Sequence, residues 1–78
     1  MTKIEMLNKT LKKYKELKEA HYNSLWLAQR AIKNNDNKLA EALKQMANEY
    51  WVACNEIESL ANIIFPNVDF FELYLDTI

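Results

Sequence analysis

Hydrophobic positions in the first part of the chain recur at alternating steps of three and four residues. That spacing is typical of a helix that packs along its length against another helix. The stripe is interrupted by Lys18 and His21, and its other members are Ile4, Leu7, Leu11, Tyr14, Leu25, Ala28 and Ile32. Thr2 and Glu5 have the spacing of a capping box, in which each side chain bonds a backbone amide of the first turn. The pattern therefore predicts a helix over about residues 3–33.

A second stripe with the same spacing follows the polar segment 34–37. Asp36 or Asn37 is a suitable N-cap, because a short polar side chain there accepts a hydrogen bond from an exposed amide. Pro66 ends the helix, since proline lacks an amide hydrogen and disfavours helical geometry in the preceding residue. The stripe comprises Leu39, Leu43, Met46, Tyr50, Ala53, Ile57, Leu60 and Ile64. We expect this helix over about residues 38–65.

The two stripes match when the chain turns back at residues 34–37. In this antiparallel register the numbers of facing residues add to about 71, so Ile32 faces Leu39 and His21 faces Tyr50. A stripe rich in small residues then remains beside the seam on the second helix, comprising Ala40, Ala47, Trp51, Cys54, Ala61 and Phe65. The sequence thus predicts a long helical hairpin whose second helix leaves this stripe for another helix to approach.

The residues after Pro66 predict a third, short helix. Asp69 and Glu72 again have the spacing of a helix start. The apolar residues of this tail are Phe70, Phe71, Leu73, Tyr74, Leu75 and Ile78. Left exposed, such a tail favours aggregation, so we expect a helix over about residues 69–77 that folds back against residues 7–14 and 57–65. The predicted fold class is all-α, in one domain over residues 1–78.

Composition agrees with long helices, because the chain has no glycine and one proline. Turns that need left-handed backbone would then use asparagine, the next most tolerant residue. One cysteine, Cys54, cannot form an intramolecular disulfide. No stretch resembles a secretory signal or a membrane span, so the expected location is cytoplasmic.

Charge is divided unevenly along the chain. Residues 1–33 carry seven Lys and one Arg against three Glu, whereas residues 34–78 carry two Lys against five Glu and three Asp. Complementary charges on two neighbouring helices are one explanation. A dipolar molecule whose acidic end meets a basic partner is the other.

Aromatic and acidic residues off the seam are the candidate partner-binding residues. Tyr and Trp are enriched at the energetic centres of protein interfaces. The candidates are Tyr22, Trp26, Glu49, Trp51, Glu56, Asp69, Glu72 and Asp76. We expect these residues to meet a protein partner with a basic surface. The alternative is self-association, in which two hairpins form a homodimeric four-helix bundle.

Candidate chemistry is sparse. His21 is the only histidine, and no nucleophile lies at a spacing that would pair with it; we expect a buried histidine that bonds Tyr50 or Glu49. The cysteine, the histidine and the scattered acids match no metal-ligand spacing. Without glycine there is no glycine-rich phosphate loop. We therefore expect no catalytic residue, no metal and no cofactor.

Lysines on the first helix suggest an alternative function, the binding of nucleic acid. Lys9, Lys12 and Lys13 lie on one flank, where they are either a solvated face or a nucleic-acid-binding face. A dimer of such hairpins resembles in outline the small plasmid Rop-type RNA-binding proteins, which present polar residues from paired first helices. That resemblance implies dimeric nucleic-acid binding through these lysines.

The leading expectation is a non-enzymatic helical interaction protein that inhibits or recruits a protein partner. The Lys- and Asn-rich composition suggests an AT-rich bacterial or phage source, and small helical proteins of mobile elements often act as stoichiometric inhibitors, including anti-defence proteins. A bacteriocin immunity protein is a further alternative, since these proteins are also small helical bundles.

Overall fold

The computed structural model describes residues 2–77 and contains three helices over that range. Helix α1 spans Lys3–Lys33, α2 spans Asn37–Ile64, and α3 spans Phe70–Asp76. The first two pack against each other along a body 49 Å long and about 20 Å across. No residue between 2 and 77 is in a strand. The predicted all-α hairpin with a short third helix is confirmed.

Side-chain caps start all three helices. The Oγ1 atom of Thr2 accepts from the amide of Glu5 at 3.2 Å, and the hydroxyl also donates to the Glu5 carboxylate at 3.3 Å. Asp36 caps α2 through the amide of Leu39 at 3.1 Å. These bonds satisfy amides that have no partner within the helix. The predicted starts of α1 and α2 are confirmed within one residue.

The turn between α1 and α2 uses asparagine where glycine is usual. Asn35 has a φ of 60°, in the left-handed region. Its amide donates to the carbonyl of Ile32 at 3.0 Å, and the Asp36 amide donates to Ala31 at 2.8 Å. These two bonds form a Schellman motif, which closes a helix and reverses the chain. The expectation that asparagine replaces glycine in this turn is confirmed.

Helix α3 begins where the sequence predicts. Asp69 accepts from the amide of Glu72 at 3.1 Å, so the aspartate is the N-cap and Phe70 is the first helical residue. The helix contacts both α1 and α2. Ile78, which the sequence places in this apolar tail, lies outside the described residues.

The predicted contact face of α2 is partly wrong, although the axial register agrees with the prediction. Small residues spaced seven apart are buried against α1, whereas the predicted seam is half-buried at Leu43, Tyr50, Ala53 and Ile57 and exposed at its other positions. The buried set is Ala40, Ala47, Cys54 and Ala61. The exposed set is Leu39, Met46, Leu60 and Ile64. The stripe expected to remain open for another helix is therefore the one that α1 occupies.

Two stripes one residue apart explain this outcome. Each stripe on α2 has heptad spacing, and neighbouring positions differ by about 100° around the helix, so periodicity alone does not choose between them. Alanine at the contact lets two helix backbones approach more closely than leucine does. On α1 the same preference buries Ser24 and Ala31 and leaves Leu25 and Ile32 exposed.

The hydrophobic core lies at the open end of the hairpin, where α3 adds its aromatic residues. The rings of Phe70 and Tyr74 meet Tyr14 edge to face, with centroids 5.1 and 4.9 Å from its ring. The buried cluster comprises Leu11, Tyr14, Cys54, Ala61, Phe65, Phe70 and Tyr74. The end near the turn is joined instead by alanine and serine contacts, so the apolar burial of the molecule is concentrated at one end.

Candidate interaction surface

A buried lysine joins all three helices. Lys18 is only 5% exposed, and its Nζ atom lies 4.6 Å from the ring centroid of Trp51, 5.3 Å from Tyr14 and 6.0 Å from Phe71. An ammonium group is attracted to the negative face of an aromatic ring at such distances. The polar interruption predicted in the α1 stripe is thus an aromatic-lined lysine, which holds Trp51 of α2 and Phe71 of α3 around one charge.

Buried ionisable groups surround this lysine. Burial raises the pKa of Tyr14, and the nearby Glu58 carboxylate raises it further. Burial also raises the pKa of the Cys54 thiol; the Lys18 ammonium opposes this effect and Glu58 adds to it. Because a raised pKa keeps the thiol protonated, Cys54 is an inert core residue rather than a nucleophile.

His21 bonds the backbone of α2 and not a side chain. Its Nδ1 atom lies 2.8 Å from the carbonyl oxygen of Ala47. A carbonyl only accepts, so Nδ1 carries the proton. The expected partners Tyr50 and Glu49 are therefore wrong. The small side chain of Ala47 permits this contact. The register is close to the predicted one, because the buried residues Ala31 and Ala40, and likewise Ser24 and Ala47, have numbers that add to 71.

Two aromatic side chains flank His21 at the surface. The Tyr22 and Trp51 ring centroids each lie 5.2 Å from the imidazole. Tyr22 is 57% exposed and Trp51 is 42% exposed. The structure thus brings together two of the predicted partner-binding residues, and His21 links them.

A groove between α1 and α2 opens beside this aromatic group. Its volume is about 360 Å³, and its lining residues are His21, Leu25, Lys44, Ala47, Asn48 and Trp51. Helix α3 adjoins this groove, because Lys18 contacts both Phe71 of α3 and Trp51 of the groove wall. We call these six residues and Tyr22 the aromatic groove.

Trp26 lies outside this groove. The guanidinium of Arg30 lies 4.9 Å from its ring centroid, one helical turn further along α1. Its ring is 57% exposed. Trp26 therefore offers a second tryptophan with a cation beside it, which is a useful comparison for Trp51.

The predicted acidic residues do not share the groove with Trp51. Glu49 precedes Trp51 by two residues and Glu56 follows it by five, and at about 100° per residue both point about 140–160° away around α2. Both are exposed. Asp69 is engaged as the N-cap of α3, and Glu72 and Asp76 are exposed on that helix. Glu49 and Glu56 thus lie on a different surface from Trp51, and the other acidic candidates belong to α3 or its cap.

The lysines of the nucleic-acid alternative remain on the outside of α1. Lys9, Lys12 and Lys13 are exposed. Two other lysines of the same run have internal contacts: Lys15 donates to the carbonyl of Thr77 at 3.4 Å, and Lys18 is the aromatic-lined residue above. The basic run is thus divided between the core and the solvent-facing side of α1.

Sequence reasoning missed the groove residues Leu25, Lys44 and Asn48. The sequence pattern places Leu25 in the seam, and the predicted contact face puts the α2 wall of the groove elsewhere. The signal that could have found them is the heptad of small residues on α2 together with Ser24 and Ala31 on α1. Helices joined by small residues leave shallow grooves on both sides of their contact.

The described residues contain neither a candidate metal site nor a membrane-spanning helix. Residues 2–77 contain no group of three His, Cys, Asp or Glu side chains placed to hold a metal ion. None of the three helices is both long and apolar enough to cross a bilayer.

Comparisons with models of known protein families, with curated proteins and with solved structures return no match to this chain.

Proposed function

We propose that this chain is a non-enzymatic interaction protein that binds one protein partner in the aromatic groove and thereby inhibits or recruits it. The observation that carries the proposal is the group His21, Tyr22 and Trp51, held rigidly between two long helices with both outer rings about half exposed. Half-exposed Trp and Tyr on a rigid scaffold are typical of interface hot spots, since they bury large area at little entropic cost.

The groove suits a helix of the partner. The chain's own α3 already packs across α1 and α2, next to the groove. An incoming amphipathic helix would place apolar side chains on Leu25 and Trp51. Lys44 at the groove wall favours an acidic residue beside that apolar face. This differs from the basic partner surface expected from the acidic residues, which lie elsewhere.

A capture experiment with matched tryptophan variants tests the proposal. Tagged wild-type protein, Trp51→Ala and Trp26→Ala would each be incubated with lysate of the source organism, with and without nuclease, and bound proteins quantified by mass spectrometry. We expect one protein in stoichiometric amount on the wild type, reduced at least ~10-fold by Trp51→Ala, as for a hot-spot residue. Trp26→Ala should retain it, because Trp26 lies outside the groove.

A second groove variant guards against misfolding. Trp51 also contacts Lys18, so removal of the Trp51 ring also removes a core contact. Leu25→Glu changes a groove residue that is 39% exposed and leaves the contact between Trp51 and Lys18 in place. Equal capture by wild type and Leu25→Glu would refute the groove as the binding site. Recovery that disappears with nuclease would instead favour binding of nucleic acid through Lys9, Lys12 and Lys13.

A further inference from the structure

The exposed members of the predicted α2 seam form an apolar stripe along one side of the hairpin. It runs the length of α2 and continues onto α1 at both ends. Leu39 is 49% exposed, Met46 43%, Leu60 58% and Ile64 46%. Near the turn, Leu27 of α1 joins Leu39 and Leu43 in one shallow groove of about 300 Å³. This surface, which we call the outer stripe, is separate from the aromatic groove, which shares none of these residues.

The spacing of the outer stripe is that of a coiled-coil seam. Its members on α2 alternate by four and three residues from Leu39 to Ile64, a pattern that buries one helix face against another. The contact with α1 uses the neighbouring small residues instead. Helix α2 therefore has a second apolar seam. Its members Leu43, Tyr50, Ala53 and Ile57 are half-buried within the hairpin, and Leu39, Met46, Leu60 and Ile64 remain exposed.

We propose that the outer stripe binds a second copy of this chain, giving a four-helix bundle whose two-fold axis runs along the bundle. In this arrangement the α1 helix of each copy lies antiparallel to the α2 helices of both copies. Because both pairs are antiparallel and level, the register of the contact between α1 and α2, in which facing residue numbers add to about 71, also applies between copies. This proposal does not depend on the proposed function.

Residues at the edges of the stripe are complementary in that register. The α1 edge consists of positions seven apart, namely Met6, Lys13, Ala20 and Leu27. The α2 edge likewise consists of Ala42, Glu49, Glu56 and Ile63. In that register Lys13 lies within two residues, about 3 Å along the axis, of Glu56 of the second copy. Apolar Met6 and Leu27 lie equally close to Ile63 and Ala42 of the second copy. Opposite charges at such flanking positions favour the pairing.

The other two-fold arrangement lacks this complementarity. With the axis perpendicular to the bundle, α2 lies antiparallel to α2 of the second copy. An axis through the middle of the stripe then places Glu49 close to Glu56 of the second copy, which are like charges. The Lys13 edges of the two α1 helices would also meet. That arrangement, with paired first helices, is the one the Rop-type resemblance implies.

The outer stripe is large enough for a stable dimer. One long side of a body 49 Å by 20 Å has a footprint comparable to the roughly 800 Å² that each partner contributes to a stable interface. The stripe's centre is apolar and its edges are charged, as is usual in interfaces. The dimer would keep both aromatic grooves on its outer faces, so each copy could still bind a partner.

Analytical ultracentrifugation over a concentration series tests the proposal. The wild type should sediment as a dimer at tens of micromolar or above. Met46→Glu should raise the dissociation constant at least ~100-fold, because it buries a charge in an apolar seam. The control is Asn48→Glu: Asn48 is exposed on the same helix but lies on the opposite side, in the aromatic groove, so the dimer should persist. Circular dichroism checks that each variant is helical.

A charge exchange tests the register. Lys13→Glu alone and Glu56→Lys alone should each weaken the dimer, by roughly five- to tenfold over its two symmetry-related pairs. The double variant should restore wild-type affinity. A wild type that stays monomeric at all concentrations, a dimer that survives Met46→Glu, or a double variant no tighter than either single one would overturn the proposal. So would a dimer abolished by Asn48→Glu.

Discussion

Substitution of Ala47 by leucine probes the contact that places every other residue of the site. Ala47 is 1% exposed, and its carbonyl accepts the bond from His21 at 2.8 Å. Leucine adds three carbon atoms where the α1 backbone is adjacent. Overpacking of a tight contact costs about 1–3 kcal/mol, and loss of the histidine bond costs about 1 kcal/mol more. We expect the free energy of unfolding to fall by roughly 2–4 kcal/mol, which lowers the melting temperature of a chain this size by about 10–30 °C.

Urea denaturation followed by circular dichroism and tryptophan fluorescence measures this loss. Ala42→Leu is the matched control, because it makes the same change at an exposed position of α2 and should cost less than about 0.5 kcal/mol. Met46→Ala, measured at about 1 μM to limit self-association, should likewise cost less than about 1 kcal/mol, since Met46 is 43% exposed. A costly Met46→Ala beside a neutral Ala47→Leu would refute the observed contact face of α2 and restore the one predicted from periodicity.

Three further predictions concern single residues. The pKa of Tyr14 is raised in the folded state, so its stabilising contribution is complete below the unfolded pKa of about 10 and is lost as pH rises above that value. Tyr14→Phe should therefore flatten the fall in the free energy of unfolding, measured with urea, between about pH 9 and 12. An unchanged slope would contradict this. Asp69→Ala removes the cap of α3 and should destabilise that helix by about 1 kcal/mol, seen as faster amide exchange in α3 with α1 unaffected; uniform acceleration would argue against a local role. Asn35→Ala should lower the free energy of unfolding by about 1 kcal/mol and Asn35→Gly should leave it unchanged, because a φ of 60° is unfavourable for alanine and not for glycine. Equal thermal stabilities for the two variants would contradict this.

Local signals in the sequence predicted the helix boundaries well. Thr2, Asp36 and Asp69 each cap a helix through the amide three residues on, as their spacing indicated. Asn35 supplies the left-handed residue expected in a chain without glycine. These features depend on a few neighbouring residues, so they can be found without knowledge of the tertiary fold.

The contact face of α2 and the site could not be predicted in the same way. Leu39 and Ala40 begin two heptad stripes one residue apart, and hydrophobicity favours the leucine stripe although the helix contact takes the alanine one. The error moved the α2 wall of the groove and misassigned the partner of His21. Lys18 illustrates a second limit, because its aromatic contacts come from α2 and α3, which sequence spacing on α1 does not reveal.

Site-specific photo-crosslinking tests the proposed binding surface most directly. A benzophenone amino acid would replace Leu25 in the aromatic groove or, as the control, Val52 on the outward side of α2; the two side chains are 39% and 46% exposed. After irradiation in lysate of the source organism, adducts would be separated by gel electrophoresis and identified by mass spectrometry. Binding in the groove predicts one adduct of defined mass from position 25 and none from position 52. Equal adducts from both positions, or none from position 25 while wild-type protein still captures its partner, would contradict the groove as the binding site.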